Sequence, residues 1–163
     1  MKSRPWGIRP ASSQDIATIV NFNLALADET EDHPLDHDTV VRGVTRGMTQ
    51  GEEVEYFLAV INSVSSDDHG EEAIIGQLML TREWSDWRDG WVAWIQSVYV
   101  HQEHRRKGVF RSLLDHVSDV CQSRPDVVGL RLYVETSNRV AQSVYDKSGF
   151  TDPKYKILEQ MFC

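Results

Sequence analysis

The stretch Trp91-Val-Ala-Trp-Ile-Gln-Ser-Val-Tyr-Val100 constrains the fold more than any other part of the chain. It is apolar on both alternating faces, the pattern of a strand covered on both sides of a sheet. Shortly after it, Gly108 precedes Val109, Phe110, Leu113, Leu114, Val117, Val120 and Cys121, an apolar stripe at the spacing of an amphipathic helix. A doubly covered strand feeding a turn and an amphipathic helix calls for helices packed on the faces of a sheet.

The rest of the chain fills in that architecture. Trp6 to Pro10 reads as a first strand, ended where Pro10 would interrupt a ladder. Ser12 to Asp15 supply cap residues ahead of Ile16, Ile19, Val20 and Leu24 at helical spacing, and a second short helix is expected over Thr39–Met48. Glu55–Ile61 and Ala73–Leu80 read as strands joined by a polar hairpin loop from Asn62 to Gly70. Pro125 and Asp126 end the amphipathic helix, and Val127–Glu135 reads as another buried strand. Asn138 opens a helix carrying Val140, Ala141, Val144 and Tyr145 that Gly149 stops, and Phe150–Phe162 is expected to form a last strand. The order β-α-α-β-β-β-α-β-α-β predicts an α/β (α+β) fold. Its mixed, mostly antiparallel sheet would have six to seven strands and about four helices. All 163 residues read as a single domain, with no repeat and no linker.

Composition narrows the function. No apolar stretch approaches the ~20 residues of a spanning helix, and the first residues lack the apolar core of a secretory signal, so no membrane association is expected. With 2 cysteines there is no disulfide framework, and a reducing, cytoplasmic setting is the expectation. A net charge of −8 argues against general nucleic-acid binding. Yet Arg105, Arg106, Lys107 and Arg111 form one basic island around Gly108. An acidic chain with a compact basic island points either to an anionic small molecule or to a solvated turn. Phosphate is the fitting anion, because a helix N-terminus offers outward amides and a positive dipole end, and Gly108 permits close approach.

At this point the residues resemble a known family. Arg105-x-x-Gly108-x-Phe110, between Val98-Tyr-Val100 and a leucine-bearing helix, resembles the Gln/Arg-x-x-Gly-x-Gly/Ala motif of the GNAT superfamily of acyl-CoA-dependent N-acyltransferases. Phe110 stands where the pattern has Gly or Ala. Asn138-x-x-Ala-x-x-x-Tyr145-x-x-x-Gly149-Phe150 resembles that family's second block, in the right order and spacing.

The resemblance implies an acetyltransferase that moves an acetyl group from acetyl-CoA to a primary amine of a small molecule or peptide by direct attack on the thioester. The turn made by Arg105, Arg106, Lys107, Gly108, Val109, Phe110 and Arg111 would hold the diphosphate. Val98 and Val100 would offer main-chain groups to the pantetheine arm, and Asn138 would bond to it. Tyr145 would be the general acid for the departing thiolate, and an amide near Val98 the oxyanion donor. A homodimer is compatible with the resemblance; so is a non-catalytic acyl-CoA-binding sensor of the same fold. A nucleotide-phosphate binding module is a third reading, although a Walker-type loop is absent.

The acceptor side is more open. Gln96 and Ser97 stand where some relatives carry a basic Glu, so Glu29, Glu31, Glu83 or a water chain remain as routes for the amine proton. Trp84, Trp87, Trp91 and Trp94 could line an acceptor pocket by cation–π contact or simply fill core and rim. The acidic segment from Asp28 to Asp38 could attract a cationic acceptor or be a solvated loop. Glu29, Glu31, Trp84, Trp94 and Gln96 are therefore the acceptor-side candidates. His33 and His37 have helical spacing, but Pro34 and the lack of a third ligand argue against a metal, and none is expected. Cys121, on the apolar stripe, reads as a buried thiol.

Overall fold

The computed structural model describes residues 5–30, 34–62 and 72–162. Its elements are β1 (Gly7–Pro10), α1 (Ile16–Thr30), α2 (His37–Gly47), β2 (Val54–Asn62), β3 (Glu72–Ser85), β4 (Gly90–Val100), α3 (Val109–Ser123), β5 (Val127–Leu132) and α4 (Arg139–Lys147). The chain divides into two compact units, Met1–Leu132 and Tyr133–Cys163.

In the first unit the strands form one sheet in the order β1-β2-β3-β4-β5. The pairs from β1 to β4 are antiparallel, and β5 joins β4 in parallel after the α3 crossover. The stripes seen in the sequence decide which face each helix covers. Ile19 and Val20 of α1 and Val44 of α2 pack on Tyr56, Leu58 and Val60 of β2. Phe22 of α1 lies 5.0 Å, centroid to centroid, from Tyr99 of β4. On the opposite face α3 buries Val109, Leu113, Leu114, Val117 and Cys121 against β2, β3 and β4. Each such fully buried aliphatic side chain contributes about 1.5–3 kcal/mol relative to exposure. Gln77, fully buried in β3, donates from Nε2 to Asn23 Oδ1 at 2.6 Å and so ties α1 to the sheet.

The sheet has 5 strands among the described residues, not the six to seven expected. Phe150–Phe162 is irregular: Pro153 has no N–H to donate, Lys154 turns the chain at φ 63°, and Tyr155, Leu158 and Phe162 are exposed. The α-helices among the described residues number four, in line with the expectation of about four. β3 runs past the expected Leu80 to Ser85, because its hairpin with β4 continues through the cross-strand pair Trp84–Trp91, whose rings meet edge-on at 5.1 Å. The expected loop after Asn62 lies outside the described residues.

Candidate active site

The central strand loses a neighbour halfway along. β4 pairs with β5 only from Trp91↔Val127 to Ile95↔Leu132. On its other side it stays paired with β3 up to Gly76↔Val100. The register with β3 slips between Met79↔Ser97 and Leu80↔Ile95, so Gln96 is the extra residue of a bulge where the parallel pairing stops.

The ladder also fixes the direction of the main-chain groups beyond the bulge. His101 N–H donates to Ile75 C=O at 2.9 Å, which makes that opposite pair hydrogen-bonded. Alternation then gives the ladder bonds to Tyr99 and Ser97, and Val98 and Val100 turn their N–H and C=O to the edge away from β3. Among the described residues no strand pairs with β4 on that edge beyond Ile95. An extended molecule with amide groups can join such an edge as an added strand would.

At the end of β4 the chain makes a 3-10 turn over Gln102–His104 and enters α3. Asp36 and Asn138 cap α2 and α4 by accepting from Thr39 N–H at 2.8 Å and Ala141 N–H at 3.0 Å. α3 instead opens on Gly108 with no side-chain cap. Its first intrahelical bond runs from Ser112 N–H to Gly108 C=O at 3.0 Å, and the turn ahead of that bond is where a helix aims its amides outward. Gly108 has φ +96°, and a Cβ there would meet nothing within 4 Å, so space lies open beside the turn. Arg106 also has positive φ, 60°.

The four cations of the basic island are not equivalent. Arg106 and Lys107 are exposed and form no ion pair among the described residues. Arg111 pairs with Asp115 one helical turn on, at 2.6 Å. Arg105 donates from Nη2 to both oxygens of Glu29, at 2.8 and 2.7 Å, and from Nε to Val100 C=O at 2.8 Å. Gln102 Nε2 donates to Glu29 Oε1 at 3.0 Å, and Tyr99 OH reaches the same oxygen at 3.4 Å. The Gln102 amide, together with Arg105, holds the Glu29 carboxyl below its ordinary pKa. Phe110 is half-buried in the first turn of α3.

On the sheet face opposite α3, Trp94 Nε1 donates to Glu83 at 2.9 Å and Arg131 Nη1 donates to the other oxygen of Glu83 at 3.0 Å. The Arg131 guanidinium stands 5.7 Å from the Trp94 ring centre. Gln96, exposed at the bulge, donates to Thr81 Oγ1 at 2.9 Å. Glu83, Trp94 and Arg131 therefore form one polar and aromatic group, and Gln96 bonds to Thr81, the cross-strand neighbour of Trp94. Trp84 sits apart from it, against Trp91 on the α3 face. Glu31 lies outside the described residues, as does His33.

The second unit carries Asn138 and Tyr145. Asn138 Oδ1 is occupied by its capping bond, which leaves its amide N–H groups to recognise a ligand. Tyr145 is buried and meets Phe150 edge-on at 5.6 Å. Burial pushes its phenol up to about 12.

His101, Glu103 and His104 are the metal-ligand cluster of the described residues, with ligand atoms within 4.8 Å of one another. Ligands around one zinc stand roughly 3.4 Å apart, so these side chains would have to converge to hold one.

Sequence reading missed Arg131 and the partners of Glu29. Arg131 had a signal: it is the one charge in Val127–Leu132, an otherwise apolar strand. The Glu29 contacts had none, since they join residues 70 to 76 positions apart.

A mixed sheet with a covered strand, a glycine turn and an amphipathic helix is the order that the first sequence motif occupies; the splitting of β4 from β5 and the uncapped start of α3 are added by the structure. The family model described as acetyltransferase (GNAT) family matches residues 22–150, and the chain belongs to that family. It is 32% identical over 98 residues to a streptothricin acetyltransferase of Escherichia coli, a match covering 54% of this chain and 53% of that protein. The chain thus aligns with about half the length of that relative. Among solved structures, that of a possible acetyltransferase from Clostridium difficile 630 superposes with a TM-score of 0.84 at 35% identity, covering 98% of this chain and 99% of the other. An aminoglycoside N-acetyltransferase in complex with CoA shares the fold, with a TM-score of 0.72 at 16% identity, covering 97% of this chain and 95% of the other.

Proposed function

We propose that this chain is an N-acetyltransferase that takes the acetyl group from acetyl-CoA and places it on a primary amine of a small molecule or peptide. The observation that carries this reading is the free edge of β4 beyond Ile95, where Val98 and Val100 turn their main-chain groups outward, leading directly into the uncapped turn at Gly108. In the same reading the two compact units serve one catalytic domain.

Acetyl-CoA supplies a thioester carbonyl that an unprotonated amine attacks, forming the C–N bond and breaking the C–S bond. The chain's residues do the rest. The amides from Gly108 to Arg111 receive the diphosphate, and Arg106 and Lys107 add charge to it. Val98 and Val100 bond to the pantetheine amides, as does Asn138. Val98 N–H then faces the oxygen on which negative charge develops. Tyr145 donates to the departing sulfur. With its phenol near pKa 12 against ~8.5 for a free thiol, it acts mainly as a hydrogen-bond donor, and the thiolate takes its proton from solvent.

The amine must lose a proton first. Glu29 is poorly suited to take it, since its oxygens already accept from Arg105, Gln102 and Tyr99. Glu83 joins Trp94 and Arg131 on the sheet face opposite α3, and we assign that face to the acceptor. The streptothricin acetyltransferase relative and the fold shared with aminoglycoside acetyltransferases make basic antibiotics the first acceptors to try.

The test is release of CoA thiol from acetyl-CoA across an amine panel headed by streptothricin and aminoglycosides, with calorimetry of CoA binding alongside. Turnover with any amine supports the proposal. CoA binding without turnover would instead identify an acyl-CoA sensor, and absence of CoA binding would end both readings.

A further inference from the structure

The Glu29 carboxylate sits where an acceptor-binding or proton-accepting group was expected, yet its surroundings give it a different task. It receives donors from three successive parts of one stretch: Tyr99 at the end of β4, Gln102 in the 3-10 turn, and Arg105 at the entry to the phosphate turn. Arg105 in turn reaches back through Nε to Val100 C=O, a carbonyl on the free edge of β4. The Arg105 guanidinium also lies 5.4 Å from the Tyr99 ring centre. The next residue, Arg106, begins the positive-φ path to Gly108. One carboxylate on α1 therefore fastens the whole connection between β4 and α3.

We infer that Glu29 is a positioning residue for the cofactor turn, acting through Arg105, and that Arg105 braces the turn rather than serving as a phosphate-binding cation. The inference rests on the acetyl-CoA reading and deepens it. A carboxylate has about four lone-pair sites; here Oε1 takes three donors and Oε2 shares the Arg105 guanidinium, leaving Glu29 little capacity to bind an amine or accept its proton. Charge accounting agrees: Glu29 neutralises Arg105, so the net positive field at the turn comes from Arg106 and Lys107. The gain from such bracing is preorganisation. Ordering a backbone residue costs conformational entropy, and a turn already ordered in the free protein does not lose it at the moment of binding.

Three variants and two readouts test it. Glu29→Ala should raise the Kd for CoA on the order of tenfold, and Arg105→Ala by a similar factor. The double variant should be no worse than either single one, because both remove the same brace. Glu29→Gln, which keeps an acceptor oxygen, should recover part of the loss. KM for the amine at saturating acetyl-CoA should stay unchanged. In the absence of CoA, amides of residues 101–108 should exchange hydrogen faster in Glu29→Ala than in wild type, a readout independent of catalysis. Multiplicative losses in the double variant, or a rise in amine KM for Glu29→Ala, would overturn the inference. So would CoA affinity or amide exchange unchanged in a folded Glu29→Ala protein. Wild-type protein that binds no CoA would overturn the acetyltransferase reading and this inference with it. Wild-type binding matched by equally tight binding in Glu29→Ala would overturn this inference alone.

Discussion

Gly76 of β3 faces Val109 at the start of α3 across a gap that a methyl group would just fill. A Cβ at Gly76 would stand 3.0 Å from the Tyr99 carbonyl oxygen and 3.4 Å from Val109 Cγ1. The helix that begins at the Gly108 turn is thus seated directly on the strand beside β4.

Gly76→Ala should lower stability by about 1–3 kcal/mol, the usual cost of overpacking a tight core. Because the added methyl presses on the Tyr99 carbonyl of β4, between Val98 and Val100, the loss should appear in CoA affinity as well as in Tm. Thermal melts and CoA calorimetry of the same variant check both effects. Full retention of CoA affinity would show that the turn does not depend on this seat.

Acid stability should depend on Asp15. Arg9 donates to both Asp15 oxygens at 2.9 Å, and with help from Ser12 N–H this pair lowers the buried carboxyl to about 2. A depressed carboxyl stabilises the fold above its unfolded pKa, near 3.8, and that stabilisation is lost as pH falls toward 2. Its size at pH 7 is about 2 kcal/mol. Denaturant melts of wild type and Asp15→Asn at pH 7, 4 and 2.5 should show the gap shrinking toward the acid end.

Cys121 should be slow to react with thiol reagents. It is buried on the inner stripe of α3, and burial pushes its thiol up, so little thiolate forms at neutral pH. Its labelling by a disulfide reagent should be far slower in native protein than in denaturant. Labelling at the rate of a free thiol would contradict this burial.

Tyr145→Phe should lower kcat on the order of 10- to 100-fold, the worth of one hydrogen bond to a developing charge. CoA affinity should barely change. With its phenol raised to about 12, Tyr145 stays protonated throughout an assay from pH 6 to 10, so the fold-loss should be constant across that range. A basic limb of kcat below pH 10 that vanishes in Tyr145→Phe would show that the phenol ionises in the working range. The raised value has one consequence for stability: the neutral phenol is favoured by the folded state, so that contribution is complete below pH 10 and lost as pH climbs toward 12.

Much of the site was written in local pattern. The apolar stripe from Val109 to Cys121 announced α3, and the structure buries that face. Asn138 announced the start of α4, and its side chain caps it. Gly108 marked the turn ahead of the helix, and there the structure adds what the pattern did not say, a positive φ. Such features are legible because capping, turns and one-sided burial are settled within a few neighbouring residues.

Tertiary structure decided what those local devices face. Whether Phe150–Phe162 becomes a strand depends on finding a partner edge, which its own apolar residues cannot report. The bulge at Gln96 depends on the registers of β4 with β3 and β5 together. Glu29 and Arg131 gained their roles from elements far along the chain, α1 meeting the end of β4 and β5 lying beside Trp94. A charged side chain looks the same in sequence whether it meets water, a substrate or another charge, and only the packing of distant elements makes that choice.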